Sequence, residues 1–145
     1  MMAIAILLGT LVQMPEAGLT EALSKALMPL TSGLPPMLFV ALWVVLCAVL
    51  TQVTTNTLSV VLVGTVAAAL MSGGTDTGVH GGALSLALSI TASNAFATIP
   101  ASIPAAIAAG QGWMSGRRQF ASGMLAAATG IVSALLAYAL AASLF

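Results

Sequence analysis

Two short polar stretches in an otherwise apolar chain carry the residues that could bind an ion. The first is 51–57, TQVTTNT, and the second is 91–104, TASNAFATIPASIP. Hydroxyl and amide side chains both donate and accept hydrogen bonds, so they can contact an anion or a cation without a charged ligand. Where helices break, free N–H groups at helix starts attract anions, and carbonyls at helix ends coordinate hard cations such as Na⁺. The two stretches therefore predict a small-ion site.

Each stretch also has a structural explanation when taken alone. Serine and threonine hydroxyls in membrane helices commonly bond back to the preceding turn, and prolines commonly kink such helices. Two interruptions in short apolar segments are nevertheless the sequence pointer to a transport site. Together, the stretches favour transport over a structural role.

The composition predicts where the chain resides. It has 145 residues, of which 60% are hydrophobic and 4% charged, and its mean hydropathy is +1.14. Soluble domains carry about 25% charged residues. We therefore expect an all-α integral membrane protein, multi-pass in the cell (inner) membrane and surrounded by the lipid bilayer. Three basic and three acidic residues cancel, which excludes an electrostatic surface for nucleic acid.

The sequence offers no constellation for enzyme chemistry. Its one cysteine, Cys47, lies in an apolar run and is expected to be a buried packing residue. Its one histidine, His80, lies near Asp76 in a glycine-rich loop, which is typical of a solvated pair and supplies too few ligands for a metal. The apolar segments contain no carboxylate or histidine for a proton relay. We expect a protein that is not an enzyme.

The apolar segments beside the stretches predict the elements that position them. Residues 37–50 and 58–70 are each about 14 residues long, whereas a helix needs roughly 20 to cross a bilayer. They predict a re-entrant helical hairpin over 35–71 with its tip at the first stretch. Residues 83–109 predict a broken transmembrane helix, because the prolines of the second stretch remove helical hydrogen bonds. Residues 119–144 predict a full terminal transmembrane helix.

The remaining segments complete a single membrane domain over 1–145. Residues 1–13 predict part of a transmembrane helix, and residues 16–30 predict an amphipathic helix lying in the membrane interface. Arg117 and Arg118 are the only adjacent basic residues. The positive-inside rule therefore places the turn before the last helix in the cytoplasm.

Both stretches resemble motifs of the divalent anion:sodium symporters, a family of the ion transporter superfamily. Residues 51–59, TQVTTNTLS, resemble the family's hairpin signature, a Ser-Asn-Thr after a Thr-Glu lead-in. Residues 93–104, SNAFATIPASIP, are similar to its broken-helix signature. The resemblance covers nearly the whole chain, but it matches only the second of the family's two inverted repeats.

The resemblance implies one half of an inverted-repeat transporter with an elevator-type mechanism. It would couple Na⁺, without an organic cofactor, to uptake of a small anion: a dicarboxylate, citrate or sulfate. The implied substrate contacts are Thr55, Asn56, Thr57 and Ser102. The implied Na⁺ site consists of Thr54, Asn56, Asn94, Pro100 and Ala101.

One repeat cannot enclose such a site, so we expect a partner. This would be a second membrane chain that supplies the missing repeat, or a further copy in a homo-oligomer. Two other functions stay open. The chain could belong to an anion channel or proton-linked exchanger of the same superfamily, or it could be a non-transporting structural subunit of a membrane complex.

Overall fold

Four α-helices and no strands make up the part of the chain that the computed structural model describes. The described residues are 18, 25, 29, 31, 33–72, 78–94, 96–98, 107, 110–112 and 115–144. The helices are α1 (Pro36–Thr51), α2 (Asn56–Ser72), α3 (Gly81–Ala92) and α4 (Gly116–Leu144). The expected all-helical fold is confirmed for these residues. The elements predicted at 1–13 and 16–30 lie outside the described residues, apart from isolated positions.

Helices α1 and α2 form a helical hairpin around the first polar stretch. Pro36 opens α1, where its missing N–H is no loss because the first helical N–H groups have no partner in the helix. The connection is 52–55, and the two helices pack against each other. With 16 and 17 residues, α1 and α2 are roughly 24 and 26 Å long. Both are shorter than a hydrocarbon core of about 30 Å.

Helices α1 and α3 are the centre of the bundle, because each of them packs against all three other helices. Helix α3 makes its most extensive contact with α4. The large side chains that it meets are buried on α1, including Phe39 and Trp43, whose ring centroids are 5.9 Å apart. Cys47 is buried, and its thiol donates to the Leu88 carbonyl oxygen at 3.8 Å. The core cluster continues through α2 to Ala134 and Tyr138 in the second half of α4.

Helix α4 is the one helix among the described residues that is long and apolar enough to cross a membrane. Its 29 residues correspond to about 44 Å. One face is buried and consists mainly of small residues at helical spacing: Gln119, Gly123, Ala127, Gly130, Ala134 and Tyr138. Small residues let neighbouring backbones approach closely, so this face holds α3 and the chain that follows it.

The outer surface is divided by side-chain size. Large apolar side chains are exposed on α1 and α4, namely Met37, Leu38, Val45, Val49, Phe120, Met124, Leu125, Val132, Leu136, Leu140 and Leu144. The exposed side chains of α2 and α3 are mostly small or polar, as at Ala68, Ser85 and Ser89, and Leu86 of α3 is the exception among their described residues. An extended apolar surface marks contact with lipid or with another protein.

Candidate ion site at the hairpin tip

The start of α2 presents free hydrogen-bond donors at the hairpin tip. Thr55 caps the helix, because its Oγ1 accepts the N–H of Leu58 at 3.3 Å. The N–H groups of Asn56 and Thr57 have no acceptor among the described residues. All three tip residues, Thr55, Asn56 and Thr57, are exposed. Free N–H groups and the positive end of the helix dipole together attract an anion.

A cavity of about 300 Å³ lies between the start of α2 and the end of α3. Its wall consists of Asn56, Thr57, Val60, Val61, Ser89, Ala92 and Ser93. Two of the predicted substrate residues, Asn56 and Thr57, are in this wall, and Thr55 adjoins them as the helix cap. No charged side chain contributes to the wall, so any charge that enters must be balanced by dipoles or by a second ion. The volume is at the lower end of small-molecule sites.

The opposite wall offers acceptors. The Ser89 hydroxyl donates to the Ser85 carbonyl oxygen at 2.8 Å, and the Ser93 hydroxyl donates to the Ser89 carbonyl oxygen at 2.9 Å. Each hydroxyl hydrogen is therefore committed to the helix, and only oxygen lone pairs remain for the cavity. Lone pairs suit a hard cation such as Na⁺. Donors on α2 thus face acceptors on α3.

Thr51 joins the tip to the end of α3. It is fully buried, and its Oγ1 lies 3.1 Å from Asn56 Oδ1 and 3.1 Å from the Ala92 carbonyl oxygen. A hydroxyl has one hydrogen, so it can serve one of these acceptors fully at a time. Thr51 belongs to the first polar stretch, but the sequence assigned it no role in the site.

Thr54, a predicted Na⁺ ligand, is engaged within the hairpin. Its Oγ1 donates to the Leu50 carbonyl oxygen at 2.9 Å and lies 2.7 Å from Ser59 Oγ. The bond to Leu50 is the back-bonding that the structural explanation of the stretch anticipates. The predicted Na⁺ ligands Pro100 and Ala101 and the predicted substrate contact Ser102 lie outside the described residues.

Asn94, also a predicted Na⁺ ligand, is directed along α3 and against α4. Its Nδ2 donates to the Ile90 carbonyl oxygen at 2.8 Å. The same side chain packs on Gly130, where an added Cβ would lie 2.7 Å from Asn94 Cγ. Of the described Na⁺ candidates, Asn56 is therefore the one that lies in the cavity wall.

Gln52 connects the hairpin tip to the chain that follows α3. Its Nε2 donates to the Asn94 carbonyl oxygen at 3.2 Å, and its Oε1 accepts the N–H of Ala97 at 2.9 Å. The Thr98 hydroxyl donates to the Gln52 carbonyl oxygen. An amide in an apolar chain needs hydrogen-bond partners wherever it is withdrawn from water, and Gln52 is half-buried. This need was the one sequence signal for a role of Gln52. The identity of the partners could not be read from the sequence.

The tip lies between the levels of Gly123, which packs on the Gln52 partner Ala97, and Gly130, near the middle of α4. Asn94, which Gln52 bonds, packs on Gly130, and Gly130 is 14 residues from each end of Gly116–Leu144 (130 − 116 and 144 − 130). At 1.5 Å per residue this is about 21 Å. Residues 45–53 of the hairpin line a groove with α4 residues between Phe120 and Ile131, and the core cluster reaches Ala134 and Tyr138 further along α4.

No protein-family model matches the chain, and no curated protein matches its sequence. The resemblance to the anion symporters therefore rests on the two polar stretches alone.

Proposed function

We propose that the chain is part of a secondary transporter that couples Na⁺ to the movement of a small anion, bound at the hairpin tip. The observation that carries the proposal is the pair of unpartnered N–H groups of Asn56 and Thr57 beside the cavity. In a bilayer, such groups are tolerated only where they line a wet cavity or meet a ligand. An anion would satisfy both groups at once.

The proportions of the helices support a re-entrant hairpin. Helix α4 is long enough to cross a membrane, whereas α1 and α2 are too short to do so. The tip that joins the end of α1 to the start of α2 lies near the middle of α4. A hairpin that enters beside the C-terminal half of α4 would turn at the centre of the bilayer and leave on the same side. Discontinuous helices that meet near the midplane are the arrangement in which secondary transporters bind their substrates.

The two walls of the cavity support coupling of an anion to a cation. Ser89 and Ser93 present oxygen atoms, while Asn56 and Thr57 present N–H groups. A bound Na⁺ beside the hydroxyl oxygens would offset the charge of an anion at the start of α2. Because no charged side chain lines the cavity, each ion should bind more tightly when the other is present.

The exposed half of α4 supports a partner. Its first half, from Gly116 to Thr129, meets residues 96–97 through Gln119 and Gly123 but is otherwise largely exposed in the described structure. A second chain, or a second copy, that inserted a hairpin from the other side of the membrane would cover this half. It would also close the site from the opposite side.

Transport tests the proposal directly. The tagged chain would be purified in mild detergent with any chain that accompanies it, reconstituted in liposomes, and supplied with labelled succinate, citrate or sulfate. We expect uptake that needs an inward Na⁺ gradient and is reduced at least about tenfold by Asn56→Ala, the effect of losing a hydrogen bond to a charged ligand, about 1.5–3 kcal/mol. Thr65→Ala is the matched control, because the Thr65 hydroxyl bonds within α2, to the Val61 carbonyl oxygen at 2.8 Å.

Other results would change the assignment. Uptake that Asn56→Ala leaves intact would exclude the tip as the binding site. Uptake without a Na⁺ gradient would favour the channel or exchanger. A non-transporting structural subunit is the second candidate, favoured by the hydroxyls that bond within their own helices, as at Thr54 and Thr65. The absence of uptake under every condition would support it.

A further inference from the structure

We propose that Gln52 is a positioning residue, which fastens the hairpin tip to the chain after α3 and so keeps the start of α2 at the ion cavity. Its effect on transport rests on the function proposed above, whereas its effect on the tip does not. The inference comes from three hydrogen bonds that this one residue makes to residues 94, 97 and 98.

The chain after α3 needs these bonds. The last residue of α3 is Ala92, and the described residues 96–98 are not helical, so their backbone groups lack regular helical partners. Buried or membrane-embedded backbone groups must be satisfied elsewhere. The Gln52 side chain supplies a donor to one carbonyl and an acceptor to one N–H, in the arrangement that a neutral amide allows and a carboxylate does not.

A second glutamine holds the same segment from the other side. The Gln119 Nε2 of α4 donates to the Phe96 carbonyl oxygen at 2.9 Å. Gly123, one helical turn further on, leaves room for the backbone of Phe96 and Ala97, into which any Cβ would project. The segment is thus fixed to α4 by Gln119 and to the hairpin tip by Gln52.

Gln52 acts on the cavity through its neighbour in sequence. Thr51 contacts Asn56 and the Ala92 carbonyl oxygen, so residues 51 and 52 hold the tip on the end of α3 at two successive positions. Loss of the Gln52 side-chain bonds would leave only Thr51 and the bond from the Thr98 hydroxyl to the backbone carbonyl of residue 52 to hold the tip on the end of α3 and the chain after it. The cavity wall would then lose its fixed geometry.

A glutamate at position 52 should make these side-chain hydrogen bonds depend on pH. The neutral acid donates one hydrogen bond and accepts another, as the amide does, but the carboxylate only accepts and would face the Asn94 carbonyl oxygen. No described residue that packs around Gln52 from α1, α4 or 94–98 is titratable. The nearest charged residues of α4 are Arg117 and Arg118, which are exposed at its start.

The experiment places a nitroxide label at Val53→Cys, on an exposed tip residue, and measures its mobility at about pH 3.5 and about pH 8, on either side of the ordinary pKa of a glutamate, about 4.3. Cys47 is buried, and the unsubstituted protein reports any labelling there. With Gln52 present we expect equal mobility at both pH values. With Gln52→Glu we expect mobility close to that of Gln52 at the lower pH and a clear increase at the higher pH.

Gln119→Glu is the matched control, since Gln119 bonds the same segment but not the tip. Its label mobility at residue 53 should not change with pH. Gln52→Leu, which keeps the size but removes both bonds, should give a mobile tip at both pH values. A Gln52→Glu tip that is as immobile as the Gln52 tip at both pH values would overturn the proposal.

Transport gives the second readout. The ratio of uptake by Gln52→Glu to uptake by the unsubstituted protein, measured at each pH, cancels any change in the substrate's own protonation. We expect the ratio to fall by about tenfold as the pH rises, the effect of losing a buried hydrogen bond. If the Gln52→Glu tip becomes mobile at the higher pH but the uptake ratio stays constant, the link between Gln52 and transport would be overturned. No uptake by the unsubstituted protein would reject the proposed function, while the label measurement would still decide the role of Gln52.

Discussion

Close packing at single residues fixes the level at which α3 ends on α4. At Gly130 the atoms nearest to an added Cβ all belong to Asn94: Cγ at 2.7 Å, Nδ2 at 2.8 Å and Cβ at 2.9 Å. These separations are too short for any side chain, so glycine is required here by space. Its backbone φ is not positive, and conformational freedom is not the reason.

Gly130→Ala should lower the free energy of unfolding by about 1–3 kcal/mol, the usual cost of overpacking. A denaturant titration in detergent micelles would measure it. Asn94→Ala in the same protein removes two of the three close atoms and should recover part of the loss. Gly64→Ala is the control, because nothing lies within 4 Å of its added Cβ and alanine has the higher helix propensity. A Gly130→Ala protein as stable as Gly64→Ala would contradict the packing.

Sequence reasoning at this scale identified the candidate residues but not their partners. Asn56 and Thr57 could be selected because hydroxyls and amides are conspicuous in an apolar chain. Gln52 stood in the same stretch, yet its role depends on residues 42–46 positions away in the sequence. The direction of each side chain could not be read from the sequence either. Asn94 has the chemistry of a ligand, but its amide is directed at Ile90 and Gly130.

At the scale of elements, the depth of the hairpin tip is the property to measure. Val53 is an exposed tip residue in an apolar groove of about 310 Å³ between α1 and α4, so a label there would face acyl chains in a bilayer. A re-entrant hairpin predicts that this label lies about 15 Å below the membrane surface, half of the hydrocarbon thickness. Labels at His80, just before the start of α3, and at Ser143, in the last turn of α4, should lie near the surface.

Collisional relaxation of the nitroxide by oxygen and by a water-soluble nickel complex would give these depths. The labels at His80 and Ser143 serve as the shallow reference for the label at Val53, because all three are measured in the same protein. A Val53 label as shallow as the His80 label would exclude the re-entrant arrangement.

The elements themselves could be predicted largely because apolar length and polar interruption are local properties. The first polar stretch separates two apolar runs, and the structure has helices at Pro36–Thr51 and Asn56–Ser72. The packing of those elements is not a local property. That α3 would lie against all three other helices depends on the small residues of α4, whose spacing predicts a close contact but not its partner.

At the scale of the whole molecule, the division of the surface predicts an association. Lipid can cover the large apolar side chains of α1 and of the second half of α4, whereas the small exposed residues of α2 and α3 are of the kind that packs against another helix. We expect the chain, purified in mild detergent, to have a mass above its own 14.4 kDa after correction for bound detergent. The excess would be a second chain or a further copy.

The faces can be separated by substitution. Ser85→Leu enlarges an exposed residue of α3 and should weaken the association by at least about tenfold, since overpacking costs about 1–3 kcal/mol. Leu140→Ala changes a residue of α4 that is 67% exposed and should leave the association unchanged. A stable monomer of the unsubstituted chain would contradict the prediction.

The level of the tip has an electrical consequence. If α4 crosses the membrane, an ion that reaches the cavity from either side has crossed about half of the transmembrane voltage. Moving one elementary charge across the full voltage is worth about 2.3 kcal/mol per 100 mV, so half of it is about 1.2 kcal/mol, or roughly sevenfold in affinity. Binding of one Na⁺ alone would then depend on voltage, and binding of one Na⁺ together with a divalent anion would depend on it with the opposite sign.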